Sequence, residues 1–293
     1  MMIESLTIPY QNLYLHDDMT IHVKRIDLAH PTISGNKFYK LKYNLIKAKQ
    51  QGIDTLISFG GAYSNHIFAL AHAAKAYGFK GIGIIRGDEL RNQALNPTLQ
   101  IAQDLGMQLE FVSRNQYRAK HTSEFLTDLK QRYPHAYIIP EGGTNPLAIK
   151  GCEEILSDED KQNYDVICCA VGTGGTISGI INSSSNHQKI LGFSALKGDF
   201  LVKEISQWTY KTNWQIFEDD YFGGYGKFNN ELLTFIEKIK VDSNIPFEPI
   251  YTGKMVYRLN QLIQQNYFLP KTRILVLHTG GLQTTSIHSS ISS

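Results

Sequence analysis

Short apolar, β-branched runs ending in glycine alternate along this chain with segments of helical periodicity. TLISFGG precedes SNHIFALAHAAKAYG, GIGIIRG precedes NPTLQIAQDLG, QLEFVS precedes a polar helix, and AYIIPEGG precedes NPLAIKGCEEIL. Parallel strands need crossover connections and are buried on both faces, so this rhythm predicts βαβ units and parallel sheets. A second series contains YDVICCAVGTGGT, KILGFSAL, WQIFEDDYFGGYG, a helix near Asn229 to Ile239, another from Gly253 to Asn266, and RILVLHTGG. Two α/β lobes are expected, and 293 residues suffice for two packed cores. No Pro- or Ser-rich linker separates the series, so the boundary falls within compact chain. Sequence repeats are absent, and the terminal SSISS reads as a frayed end.

Composition removes several function classes. The formal charge is +2 and Lys and Arg form no dense cluster, which argues against a nucleic-acid surface. No run approaches the ~18 apolar residues of a membrane span. The opening MMIESLTIPYQNLYLHDD lacks the basic start and apolar stretch of a secretory signal, so a cytoplasmic protein with a small-molecule ligand is expected. Cys168 and Cys169 are neighbours in a strand and point to opposite faces; with Cys152 they read as structural thiols. Without CxxC, HExxH or an Asp-rich loop, no metal is expected.

The tightest local signal is Gly172-Thr173-Gly174-Gly175-Thr176, between the strand DVICCAV and the helical ISGII. Glycine allows a sharp turn and close ligand approach, and a helix start offers unpaired N–H groups, so this segment reads as a phosphate cup. Gly60-Gly61, Glu141-Gly142-Gly143-Thr144 and Thr279-Gly280-Gly281 punctuate other strand ends, which in a parallel sheet line one crevice. The pattern is neither a dinucleotide fingerprint nor a P-loop, leaving a small phosphate-bearing cofactor. Near the N-terminus, Gly35-Asn36-Lys37 leads into an amphipathic helix; apolar packing and the positive helix end push such a lysine toward the neutral amine used in Schiff-base chemistry.

GNK before a helix, Ser-Asn at the mouth of the helix after SFGG, and GTGGT about 135 residues later resemble the fold type II (tryptophan-synthase-β-like) pyridoxal-phosphate enzymes. Within that group GNKFYKLKY, SFGGAYSNH, EGGTN, DDYFGGYG, IYTGK and HTGG resemble the family of 1-aminocyclopropane-1-carboxylate deaminase and D-cysteine desulfhydrase, in order from about residue 20 to 282. The resemblance implies a two-domain α/β fold, with a large cofactor-binding domain of residues 1–41 and 148–293 and a small domain of residues 42–147. It implies pyridoxal 5′-phosphate as cofactor, a small amino-acid substrate and a homodimer. Lys37 then matches the lysine that holds the cofactor covalently and moves the substrate proton. Asn65 matches the partner of the cofactor's phenolic oxygen, Ser64 the receiver of the substrate carboxylate, and Lys40 a lysine near the phosphate. Gly172, Thr173, Gly174, Gly175 and Thr176 match the cup, and Tyr225 and Tyr251 the tyrosines facing the substrate.

Two positions separate the branches. Cyclopropane deaminases carry Glu where this chain has Thr252, and typically Leu where it has Thr279; in both it resembles the desulfhydrases. A carboxylate would keep the pyridine nitrogen protonated, which a hydroxyl does not do as strongly. The expectation is β-elimination from D-cysteine to pyruvate, sulfide and ammonia. A cyclopropane-carboxylate deaminase, another small-amino-acid β-eliminase and a non-catalytic cofactor-binding protein are the alternatives. Tyr39 and Tyr63 depart from positions commonly Arg or polar. His66 reads as structural support or a base, and His72 and His278 as packing residues.

Overall fold

The computed structural model describes residues 6–16, 19–218 and 221–282; the terminal SSISS, the first five residues and Asp219-Asp220 of DDYFGGYG lie outside them. Among the described residues ten strands form two sheets: β1 (Tyr10–Asn12), β2 (Thr20–Lys24), β3 (Thr55–Gly60), β4 (Lys80–Arg86), β5 (Gln108–Val112), β6 (Ala136–Ile138), β7 (Val166–Val171), β8 (Lys189–Ser194), β9 (Trp214–Phe217) and β10 (Arg273–Leu277). The larger sheet runs β1-β2-β10-β7-β8-β9 and the smaller β5-β4-β3-β6. All pairings are parallel except β1 with β2. β10 lies between β2 and β7, with Ile274 opposite both Ile21 and Val166, so the two ends of the chain meet in one sheet.

The helices are α1 (Asn36–Gln50), α2 (Asn65–Tyr77), α3 (Pro97–Asp104), α4 (Arg114–Arg118), α5 (Ser123–Arg132), α6 (Pro146–Cys152), α7 (Asp158–Asn163), α8 (Gly175–Ser183), α9 (Leu201–Ser206), α10 (Asn230–Ser243) and α11 (Thr252–Gln264). The polar helix expected after QLEFVS is two short ones, α4 and α5, each opened by a side-chain cap from Ser113 or Thr122. β1 and β2 carry no alternation long enough to be read from sequence.

Backbone-close packing of α1, α6 and α8 sets up the site. A Cβ on Gly151 of α6 would sit 2.0 Å from the Tyr39 carbonyl oxygen of α1. One on Gly179 of α8 would sit 2.6 Å from the Ile149 carbonyl oxygen of α6. Only glycine permits both approaches. Cys152 is buried between α6 and α8, and an apolar core including Leu41, Leu45, Ile149 and Ile180 surrounds the stack. The first turns of α1 and α8 and the entrance of α6 are thereby drawn together. Among the described residues, no helix is long and apolar enough to cross a membrane.

Candidate active site

A cleft of about 470 Å³ opens where β3, β4, β7 and β10 end, lined by residues that follow those strands and by the start of α1. Its floor is the turn Gly172–Thr176. Gly174 adopts φ +80° and caps α8, so the first-turn N–H groups of that helix have no intrahelical partners. Lys40 is 2% exposed, and its Nζ donates to the Gly142 carbonyl at 2.6 Å, Thr144 Oγ1 at 3.0 Å and Thr173 Oγ1 at 3.5 Å. Burial, then the charge of Lys37, lowers its pKa to about 7. Lys37, one turn earlier, is lowered to about 8 by burial; its Nζ donates to Asn36 Oδ1 at 3.3 Å. Asn36 Nδ2 in turn donates to Thr176 Oγ1 at 2.8 Å, joining the lysine turn to the cup.

The opposite wall comes from the small sheet. Ser64 caps α2, accepting the Ile67 N–H at 3.2 Å, and Asn65 opens that helix. His66 is buried beneath them. The single Ser58 hydroxyl proton goes to the Ile139 carbonyl at 2.8 Å, so Ser58 Oγ accepts from His66 Nε2 at 2.8 Å. His66 Nδ1 is left a buried acceptor without a protein partner. Burial, then the charges of Lys37 and Lys40, keeps this imidazole neutral. Tyr225 and Tyr251 stand edge-on with ring centroids 5.9 Å apart, and Tyr251 packs so close to Gly172 that a Cβ there would lie 3.2 Å from its Cε1. Burial, then Tyr225, holds the Tyr251 phenol well above its usual range.

Of the sequence-derived site residues, Lys37, Lys40, Ser64, Asn65, Gly172 to Thr176, Tyr225, Tyr251 and Thr279 all line this cleft. Thr252 does not. It is fully buried, and its hydroxyl donates to Glu248 Oε1 at 3.0 Å. Glu248 also accepts the backbone N–H groups of Ile250, Tyr251 and Thr252, fixing the start of α11. Tyr63 is half exposed at the mouth, whereas Tyr39 is buried against Phe38. His278 donates Nε2–H to the Pro246 carbonyl at 2.6 Å and accepts the Gly280 N–H at 3.3 Å, tethering the Thr279-Gly280 turn; His72 packs edge-on against Phe68. Sequence reasoning gave no separate role to Asn36, Ser58, Arg86 or Glu248. Asn36 lay in plain view within Gly35-Asn36-Lys37, and Arg86 is a charge at the end of an otherwise buried strand.

The sequence profile described as "Pyridoxal-phosphate dependent enzyme" matches residues 6–280. The chain belongs to that family. A protein of Thermotoga maritima named "Putative 1-aminocyclopropane-1-carboxylate deaminase" is 30% identical, over 89% of this chain and 88% of its own. A Klebsiella pneumoniae "D-cysteine desulfhydrase" is 27% identical, over 91% of this chain and 88% of its own. A solved structure described as an ACC deaminase homologue superposes with a TM-score of 0.84 at 26% identity, covering 99% of this chain and 94% of that one. The chain is thus a pyridoxal-phosphate-dependent enzyme of fold type II, in the group that contains these deaminases and desulfhydrases.

The residues present fit that cofactor. A Cβ on Gly175 would fall 2.7 Å from Thr144 Oγ1 and 3.2 Å from Lys40 Cε, so a side chain there would fill the cup that the glycine leaves open. The cup combines first-turn N–H groups, the Thr173 and Thr176 hydroxyls and the Lys40 amine, a donor set suited to a phosphate dianion. A depressed-pKa lysine beside it suits a group held through an imine.

Proposed function

We propose that the enzyme eliminates the β-substituent of a small amino acid, with D-cysteine as the reference substrate, converting it with water to pyruvate, sulfide and ammonia. Bound pyridoxal phosphate would supply the electron sink that acidifies the α-C–H bond. The chain's residues do the rest. Gly172 to Thr176 and Lys40 bind the phosphate, and Asn65 holds the phenolic oxygen. Ser64 and the N-terminus of α2 receive the α-carboxylate. Lys37, whose pKa burial lowers to about 8, removes the α-proton as a free amine, and Tyr251, which burial keeps protonated, donates toward the leaving sulfur with Tyr225 beside it.

One observation favours elimination over cyclopropane opening: among the described residues, the cleft contains no free carboxylate to keep a cofactor nitrogen protonated. Of its lining carboxylates, Glu89 pairs with Arg114 at 2.7 Å and Glu141 with Lys120 at 3.0 Å. Glu248 is committed to the start of α11, and Thr279 contributes only a hydroxyl. The name carried by the Thermotoga relative favours the second reading, a deaminase of 1-aminocyclopropane-1-carboxylate.

The test is the absorbance spectrum of the purified enzyme before and after D-cysteine, with 1-aminocyclopropane-1-carboxylate in parallel and Lys37→Ala as control. A band near the visible edge that the variant lacks, with sulfide and pyruvate from D-cysteine, supports the first reading. 2-Oxobutanoate from the cyclopropane alone would select the second. The proposal includes a cytoplasmic homodimer, assayed by sedimentation. It also divides the chain into a large domain of residues 1–41 and 148–293 and a small domain of residues 42–147. The division is supported by the strand order, since β3 to β6 form the small sheet.

A further inference from the structure

Arg86 is the last residue of β4, after five buried positions, and its exposed side chain enters the cleft from the small sheet. Its guanidinium lies over the Tyr117 ring, with Cζ 5.8 Å from the centroid. Tyr117 is itself fixed, donating its hydroxyl to Glu141 at 2.6 Å. On the other side Arg86 Nη2 comes within 3.4 Å of where a Cβ on Gly61 would sit, so a larger residue there would press on the cation. Gly61 starts the turn that ends at Ser64, whose N–H donates to the Gly61 carbonyl at 3.1 Å. The guanidinium therefore stands beside the proposed α-carboxylate dock, one strand away.

The acids nearby are already matched. Glu89 is held by Arg114, and Glu141 by Lys120 and Tyr117. Among the described residues Arg86 has no carboxylate partner. A guanidinium held on an aromatic ring at a cleft wall, without a counter-ion, presents a planar fork of donors matched to carboxylate, sulfate or phosphate. The α-carboxylate already has Ser64 and the α2 N-terminus, so Arg86 is available for a different negative group.

We propose that Arg86 receives a second anionic group on the substrate side chain, so the enzyme prefers amino acids with an acidic β-substituent over neutral ones such as cysteine. The inference rests on reading the cleft as an amino-acid β-elimination site.

Two measurements on the holoenzyme separate that premise from the inference. Calorimetric titration with both enantiomers of aspartate, 2-amino-4-phosphonobutanoate and alanine, none of which carries a β-substituent that can be eliminated, reads binding without turnover. We expect the acidic ligands to bind more tightly than alanine, and Arg86→Gln to reduce that ratio about tenfold, with partial retention in Arg86→Lys. Aspartate and 2-amino-4-phosphonobutanoate distinguish a carboxylate site from a phosphate or sulfate site. The kinetic counterpart compares serine O-sulfate with β-chloroalanine, which lose an anionic and a neutral β-substituent. The ratio of their kcat/KM values should fall about tenfold in Arg86→Gln. No preference for acidic ligands in the wild type, or equal losses for alanine and aspartate in the variant, would overturn the assignment; the latter would place Arg86 on the α-carboxylate. Intact binding ratios without elimination from either compound would instead sink the β-elimination reading and leave Arg86 as an anion site.

Discussion

Lys40 is the most informative single substitution, because its charge in the folded protein depends on what fills the cup. Its pKa is about 7, against an ordinary 10.5. That gap disfavours the buried ammonium by about 5 kcal/mol relative to water. In cofactor-free protein, between pH 7 and 10.5, the unfolded chain holds a proton at Lys40 that the folded chain lacks. Stability therefore rises with pH across that window, and Lys40→Met should flatten the rise. A phosphate dianion in the cup reverses the preference, returning Lys40 to the ammonium form. At pH 8 a group with a pKa of about 7 is roughly one-tenth protonated, so anion binding should draw in close to one proton at this position. The assay is calorimetric titration of cofactor-free protein with inorganic phosphate at pH 8, in buffers of different ionisation enthalpy. Wild type should show about one proton more uptake than Lys40→Met. A lost charge-assisted contact of ~1.5–3 kcal/mol should weaken phosphate binding by roughly ten- to a hundredfold. Equal uptake and equal affinity in the two proteins would refute the placement of Lys40 on the phosphate.

The remaining predictions concern the frame around the cleft. Gly151→Ala forces a methyl group against the Tyr39 carbonyl and should cost about 3 kcal/mol, read as a lower denaturant midpoint; an unchanged midpoint would show that α1 and α6 do not meet backbone to backbone. Glu248→Ala strips the acceptors from the N–H groups of Ile250, Tyr251 and Thr252 and should lower thermal stability by about 3 kcal/mol or more, an effect that a solvated cap would not produce. Burial raises the thiol pKa of Cys152 to about 11 and those of Cys168 and Cys169 further. All three should resist an aromatic disulfide reagent in the native protein and react on denaturation; fast native labelling would contradict their burial.

Much of this arrangement was legible because backbone requirements leave marks in sequence. A fully buried strand such as VICCAV, followed by glycines and then a helix, announces a strand end that approaches a ligand. Ser64 was reachable because it sits inside such a motif, after β3 and Gly60-Gly61, whereas Lys37 and Tyr251 were reached through the family resemblance of GNK and IYTGK. Short strands were not: TIHVK at β2 has only Ile21 and Val23 as an apolar alternation, and it becomes a strand by pairing with β10, some 250 residues later in the chain. Helix limits also differ from the sequence pattern. α6 ends at Cys152 although NPLAIKGCEEIL continues a helical pattern.

Thr252 shows where a motif position and a side-chain direction part company. In IYTGK it stands directly after a tyrosine of the cleft, yet Tyr251 is the non-helical N-cap of α11 and Thr252 its first helical residue, so the backbone turns between them. Tyr251 therefore faces the cup while Thr252 turns into the protein, where Glu248 takes its hydroxyl. Glu248 holds Thr252 through both backbone and side chain, so changing residue 252 alone also unsettles a buried carboxylate that has no cationic partner among the described residues. Burial already pushes the pKa of Glu248 up, and the donors from Ile250, Tyr251 and Thr252 oppose that push. A glutamate at 252 would bring a second carboxylate against the first, and like charges in a buried site cannot both stay ionised. Thr252→Glu should consequently lose stability as pH rises above the ordinary carboxylate range, and pairing it with Glu248→Gln should restore it. Without that rescue, in thermal melts across pH 5 to 8, the buried Glu248–Thr252 contact would not be what fixes the residue at this position.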